Sequence, residues 1–281
     1  MIRIAVLVTV FNRREITLKG LRTLKNAIAN LGNEYSFDIF LTDDGSTDGT
    51  AEAVRREFSD VRIAIGNGNL FWGGGMNMAW QMAVEENVKY DYFLWYNDDS
   101  DIFPDGLKTV FEMACSKVVV TGAFKDHNGN VSYGGKTNHD QLITPNGNIQ
   151  EVLKMNGNLV LIPSSVFEAI GFIDSHYIHG GGDFDYGYKV RECGFKVLLT
   201  PKYVGLADRH DEFIPKYCKK EISFSKRWTI LHNPMNSPII HFRYNMSRDG
   251  LLKAVLYFLI AYVGVFFPSL YISVKSVSKR K

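Results

Sequence analysis

The sequence predicts an α/β fold built on a mostly parallel sheet with flanking helices, followed by a C-terminal helical segment suited to a membrane. Three observations predict it. Short β-rich apolar runs alternate with stretches of helical periodicity from residue 2 to about residue 200. Polar and glycine-rich clusters directly follow the apolar runs, at the strand ends where open α/β sheets bind ligands. An uncharged apolar stretch near the end of the chain is followed by a basic tail.

Residues 2–8 (IRIAVLV) form the continuous apolar run of a strand covered on both faces. Leu21, Leu24, Ile28 and Leu31 recur at helical spacing, and Gly32 is placed to end that helix. The cycle repeats with a strand at 37–42, a helix at 50–58, a strand at 61–65, a helix at 76–86 and a strand at 91–96. Pro104-Asp105 opens a helix to about residue 115, and 117–122 continues the sheet. From 123 to about 150 the chain is Gly/Asn-rich and aperiodic, with hairpins expected around 127–130 and 145–148. A strand at 158–163, a helix from about 164, a helix near 185–193 and a strand at 195–201 complete the globular part. The expected division is an α/β domain over 1–215, a connecting region over 216–250, and a membrane-associated helix with its tail over 251–281.

Charge excludes one class of partner. Thirty-two basic against 30 acidic residues give a net charge of +2, so no general polyanion surface is implied and nucleic acid is not expected. Three cysteines without C-x-x-C spacing fit a reduced, cytoplasmic setting. No apolar stretch of signal-peptide length precedes the first strand, so export by that route is not expected.

The turn Asn97-Asp98-Asp99-Ser100-Asp101 places three carboxylates directly after an apolar strand, where repulsion is costly unless a cation or donors compensate. Mg²⁺ or Mn²⁺ would compensate and would bind together with a nucleotide diphosphate; a solvated acidic turn capping the next helix is the plain alternative. In 43–50 (DDGSTDGT) a calcium loop is excluded, because the twelfth position would be Arg55 and not a bidentate Glu. Asp43 can instead accept from the imide N–H of a pyrimidine base while the Ser/Thr/Asp cluster caps a helix, and capping alone is also open. In 66–71 (GNGNLF) the dinucleotide fingerprint fails at Phe71, which excludes a Rossmann NAD site. Gly73-Gly74-Gly75 before the next helix offers bare backbone to a phosphate or sugar. Asp183 and Asp185 follow three glycines at a helix start, where one carboxylate can deprotonate an acceptor hydroxyl or simply cap the helix.

These segments, in order, resemble family 2 glycosyltransferases of the GT-A fold, particularly bacterial rhamnosyl- and galactofuranosyltransferases. The likeness covers TVFNRR, DDGSTDGT, NLFWGGGMN, NDDS with PDGL, and GGDFDYGYKVRECGF, over roughly residues 2–205. The resemblance implies inverting sugar transfer from a UDP- or dTDP-sugar to a lipid-linked glycan or cell-surface polysaccharide, at the cytoplasmic face of the cell membrane. By position, Thr9, Phe11, Asn12 and Arg13 line the nucleotide site, Asp43 holds the base with Asp44 beside it, and Asn69 and Asn77 stand near ribose and phosphates with Gly74 and Gly75. Asn97, Asp98 and Asp99 match the family's D-x-D, with Asp99 the principal ligand of Mg²⁺ or Mn²⁺ and Asn97 departing from the pattern. His210 is the nearest match to a metal-binding histidine of some relatives, and stands slightly late. Asp183 matches the catalytic base, with Trp72 and Asp185 placed around the acceptor. Two rival classes remain: a sugar-nucleotide-forming nucleotidyltransferase, whose basic glycine-rich loop residues 8–14 do not supply, and a non-catalytic membrane-bound glycan-binding protein.

Residues 254–274 run for 21 positions without a formal charge. That length suffices to span a bilayer, but Gly264, Pro268 and late polar residues make an in-plane or re-entrant helix a real alternative, with a buried core helix the plain one. The segment 232–248 is expected to bridge the α/β domain to the membrane surface.

Overall fold

The computed structural model describes residues 1–138, 140–209 and 214–278, with side chains to 273. Contacts divide the chain into two units: Met1–Ser175 with Gly182–Arg209, and His176–Gly181 with the described residues from 214 onward. The expected connecting region and terminal helix thus fall in one unit.

The first unit runs β1 (Ile2–Val10), α1 (Arg14–Ala29), β2 (Tyr35–Asp43), α2 (Thr50–Glu57), β3 (Val61–Ile65), α3 (Phe71–Glu85) and β4 (Tyr92–Tyr96). It continues with β5 (Asp101–Ile102), α4 (Gly106–Phe111), β6 (Val118–Lys125), β7 (Val131–Tyr133), β8 (Gly135–Lys136), β9 (Gln150–Glu151) and β10 (Lys154–Met155). β11 (Leu159–Pro163), α5 (Ser164–Ile170), α6 (Gly182–Glu192) and β12 (Lys196–Leu206) close it. The main sheet has the order β3-β2-β1-β4-β11-β6-β12-β5. β1 pairs in parallel with β2 and β4, β2 with β3, and β6 with β12, whereas β11 lies antiparallel between β4 and β6.

The apolar run of β1 is explained by its two covered faces. Ile4, Val6 and Val8 pack with Leu21 and Leu24 of α1, Val54 of α2 and Leu107 and Val110 of α4. Ala5 and Leu7 face the opposite layer, with Met76 and Trp80 of α3, Val166 of α5 and Tyr186 of α6. Each fully buried Val or Leu contributes roughly 1.5–3 kcal/mol relative to exposure, so covering both faces makes β1 the axis of the fold.

One strand position and one helix start that bear on the site differ from the sequence expectation. The strand over 118–125 does not follow β4 in the sheet, because β11 inserts between them from 34 residues later in the chain. Local periodicity carries no information about such an insertion. The second difference is α3, which begins at Phe71 and not at residue 76, so the three glycines lie inside its first turns. Asp44 causes this. Its carboxylate accepts from the N–H groups of Gly68, Leu70 and Phe71 at 2.8, 2.9 and 3.0 Å, supplying an anion where the helix dipole is positive.

The second unit comprises α7 (Phe224–Leu231), α8 (Pro238–Asp249), α9 (Leu251–Phe266) and α10 (Pro268–Ser278). The apolar stretch over 254–274 is not one helix: it breaks at Phe267, whose backbone is non-helical (φ −129°), and Pro268 starts the next. Among the described residues no helix is long and apolar enough to cross a membrane.

Candidate active site

β1 and β4 are neighbours whose outgoing and incoming helices, α1 and α3, lie on opposite faces, which makes the gap beyond their carboxyl ends a topological switch point. Arg13 leaves β1 and meets the turn after β4. Its Nε lies 3.2 Å from Asp98 Oδ1 and its Nη1 3.1 Å from Asp99 Oδ2. Asp98 is buried and also accepts from Thr17 Oγ1 of α1 at 2.5 Å. Burial pushes its carboxyl up to about 6, against the opposing pull of Arg13 and Thr17 and with the repulsion of Asp99 added. Asp99 Oδ1 is buried with no hydrogen-bond partner among the described residues.

α1 approaches this turn closely because of a glycine within the helix. A Cβ at Gly20 would stand 2.1 Å from the Asp98 carbonyl oxygen, and the Gly20 carbonyl accepts from the Tyr96 hydroxyl at 2.8 Å. Gly20→Ala is therefore expected to lower stability by about 1–3 kcal/mol through overpacking, although alanine has the better helix propensity. Thermal or urea unfolding of the variant checks this; a stabilised variant would mean the contact is loose.

From Asn97 a chain of contacts reaches Asp183. Trp72 Nε1 donates to Asn97 Oδ1 at 2.8 Å, and the Trp72 ring meets Trp95 edge-on with centroids 5.6 Å apart. The indole lies against Gly157, where a Cβ would come within 2.4 Å of it. The Gly157 N–H donates to Asp183 Oδ2 at 3.1 Å, and the Phe184 N–H donates to Asp183 Oδ1 at 2.9 Å. Burial raises the Asp183 carboxyl above its ordinary value, while these two amides and the charge of Lys136 oppose the shift. One neighbourhood therefore holds Arg13, Trp72, Asn97, Asp98, Asp99 and Asp183.

The remaining sequence-singled residues divide by what they touch. Asn12, at φ +50°, donates its N–H to Ser46 Oγ (2.8 Å) and accepts from the Thr47 N–H (2.7 Å), tying the loop after β1 to the loop after β2. Asp43 is buried and accepts from the Ser46 N–H at 2.8 Å. Asp48, one residue before the Gly49 N-cap of α2, accepts from the N–H and hydroxyl of Thr50, and its carboxyl is held below the ordinary range first by that hydroxyl. Phe11 is half exposed and Asn69 exposed at its loop.

Several expected ligand groups are already engaged within the protein. Asp44 is taken up by three backbone amides, so it organises the loop and the start of α3 and engages the Leu70 and Phe71 amides at the helix N-terminus. Gly75 serves close packing: a Cβ there would lie 2.0 Å from Thr9 Oγ1, while one at Gly74 would meet Leu70 at 3.3 Å. Asn77 pairs with the backbone of Ile173 in both directions, at 2.8 and 3.0 Å, and ties α3 to the segment before α6. Asp185 is buried against Lys189 at 3.0 Å, a matched charge within α6. His210 lies outside the described residues. Sequence reading missed Thr17, Gly20 and Gly157; only Gly20 carried a signal, as a glycine inside a helical pattern.

The match to the family model for glycosyl transferase family 2 spans residues 5–167, more than half of the chain, and the chain belongs to that family. It is a glycosyltransferase. The fold is shared with the mannosyltransferase PcManGT from Pyrobaculum calidifontis, solved with GDP-Man and Mn²⁺, at TM-score 0.55 and 16% identity over 99% of this chain and 81% of that one. The S. aureus TarS 1–349 structure with UDP is similar at TM-score 0.56 and 14% identity, over 92% and 81% of the two chains. GalNAc-T7 with UDP, GalNAc and Mn²⁺ matches at TM-score 0.55 and 14% identity, over 89% of this chain and 51% of its own. By sequence, no curated protein matches the chain.

Proposed function

We propose that the chain transfers a sugar, with inversion, from a UDP- or dTDP-sugar to a lipid-linked glycan or cell-surface polysaccharide at the cytoplasmic face of the membrane, with Mg²⁺ or Mn²⁺ bound. The observation that carries the reading is Asp99 Oδ1, buried and unpartnered in a turn connected through Trp72 and Gly157 to Asp183. The donor set suits a hard divalent ion, which typically takes one or two carboxylates and completes its shell with substrate phosphates. Among the described residues no group of three or more His, Cys, Asp or Glu is placed to hold a metal. When bound, the cation neutralises the leaving diphosphate.

The chain's own residues do the rest. Asp99 presents the ligand oxygen, and Arg13 adds a second positive charge beside it. Asp43 receives the base, in a loop that Asn12, Ser46 and Thr47 hold rigid. Asp183 takes the proton of the acceptor hydroxyl as its oxygen bonds the anomeric carbon and the bond to the diphosphate breaks on the opposite face. Solved relatives bound to UDP, or to GDP-Man with Mn²⁺, support the nucleotide-sugar class. Exposed free thiols at Cys115 and Cys193 fit a reducing compartment.

Calorimetry with UDP, dTDP and GDP, with and without Mn²⁺, tests the donor reading, with mass spectrometry of products from a panel of donor sugars. UDP or dTDP is expected to bind at least about tenfold more tightly than GDP and only with the cation, a difference of about 1.4 kcal/mol. Metal-independent binding, or none of the three binding, would overturn the reading.

A further inference from the structure

We propose that α9 lies in the plane of an anionic lipid surface and docks the second unit on it through one apolar stripe, without crossing the bilayer. The proposal is independent of the transfer reaction. α9 has 16 residues, about 24 Å of helix, against a hydrocarbon core about 30 Å thick, and it ends at Phe267 and Pro268. The helix is therefore too short to span but long enough to lie flat.

Its two faces have opposite fates. Ala254, Gly264 and Val265 are buried, and the approach is close enough that a Cβ at Gly264 would stand 2.3 Å from Cys218 Sγ. Arg227 of α7, also buried, donates to the Val265 carbonyl at 3.1 Å and secures this inner face. Over the rest of its surface Leu252, Val255, Leu256, Leu259 and Phe266 recur at helical spacing and are exposed, Leu252 by 87%, flanked by exposed Leu251, Tyr257 and Ile260 and followed by Phe267 at 63%. A continuous apolar stripe of this length on a folded unit marks a binding surface. Trp228 and Phe224 of α7 continue it, with ring centroids 6.1 and 5.4 Å from Phe266, in the amphipathic aromatic arrangement favoured at a membrane–water boundary.

Charge selects the occupant. The chain's net charge of +2 conceals a division: residues 1–209 carry 20 basic and 26 acidic groups, whereas 210–281 carry 12 basic and only four acidic. Lys216, Lys220, Lys226, Arg243 and Lys253 are exposed in the second unit. A unit with this basic excess and an exposed apolar helix surface repels a second copy of itself and attracts anionic headgroups. The sequence length allows a span; the break at Pro268 and the apolar surface left exposed beside the buried strip favour the flat arrangement.

Co-sedimentation of the full chain with phosphatidylcholine vesicles, with and without about 30% phosphatidylglycerol, tests the proposal. Binding is expected only to the anionic vesicles and is expected to fall when salt rises from about 0.1 to about 0.5 M. The double variant Leu256→Glu and Leu259→Glu, at exposed positions, should lose at least about tenfold in partitioning. Lys220→Glu with Lys226→Glu should lose at least about tenfold by the charge route alone, so the test does not depend on one variant folding. Bromine placed near the headgroups should quench the fluorescence that Trp228→Phe removes more strongly than bromine near the bilayer centre. Equal binding to neutral vesicles, unchanged binding of the apolar variant, stronger quenching from the centre, or a dimer that the apolar variant dissolves in place of vesicle binding would each overturn it.

Discussion

Asp183→Asn is expected to lower turnover by about 10²- to 10⁴-fold, the range that a general base contributes, while nucleoside diphosphate affinity stays within about twofold. The separation follows from position. Asp183 stands in the first turn of α6, held by the Gly157 and Phe184 amides, and connects to the nucleotide-side carboxylates through Trp72 and Asn97. Asparagine keeps the shape but sets an N–H₂ against one of those amides, at a cost of about 1–3 kcal/mol, so unfolding must be followed beside rate. The acid limb of the wild-type pH profile gives a second reading. Burial raises the Asp183 carboxyl, and the deprotonated form is the base, so kcat/KM should fall as pH drops through an apparent value above the ordinary carboxylate pKa of about 3.9. Initial rates by product detection and calorimetry with UDP check both statements. Full turnover in the variant would remove Asp183 from the chemistry.

The parts of the molecule legible in the sequence are those where a local pattern and a global demand coincide. β1 could be read because a strand covered on both faces must be apolar at every position, and Ile4 to Val8 all satisfy this. The turn at 97–101 could be read because three acids within five positions after such a strand need compensation wherever the strand lies. β11 between β4 and β6 could not, since its place is decided by pairing with strands about 40 and 65 residues away. The same limit governs the site. Asn77 and Asp44 stand in polar motifs, and the backbone atoms they bond, 96 and 24–27 residues distant, are not legible from those motifs. Gly75 shows the complementary case: it invites a phosphate by its bareness, yet the bareness admits Thr9.

Asp99→Asn and Arg13→Gln are expected to move divalent-cation binding in opposite directions. Asp99 offers the unpartnered oxygen, so its amide variant should weaken Mn²⁺-dependent UDP binding by at least about tenfold, with the residual affinity no longer responding to Mn²⁺. Arg13 acts as the counter-charge of the same carboxylates. A unit charge pair at about 4 Å is worth about 4 kcal/mol at an effective dielectric constant of about 20, a figure reduced here because the Arg13 side chain is 33% exposed. Its removal leaves Asp98 buried without its cation, and the folded state loses stability until another positive charge replaces it. Arg13→Gln is therefore expected to melt earlier than wild type in the absence of metal, to recover more on addition of Mn²⁺, and to bind free Mn²⁺ about tenfold more tightly when no nucleotide is present. Thermal melts across a Mn²⁺ titration and paramagnetic measurement of free ion would resolve the two variants. If Arg13→Gln bound Mn²⁺ no better than wild type, the guanidinium and the cation would not share the Asp98–Asp99 turn, and the two positive charges would have to act at separate places on the diphosphate.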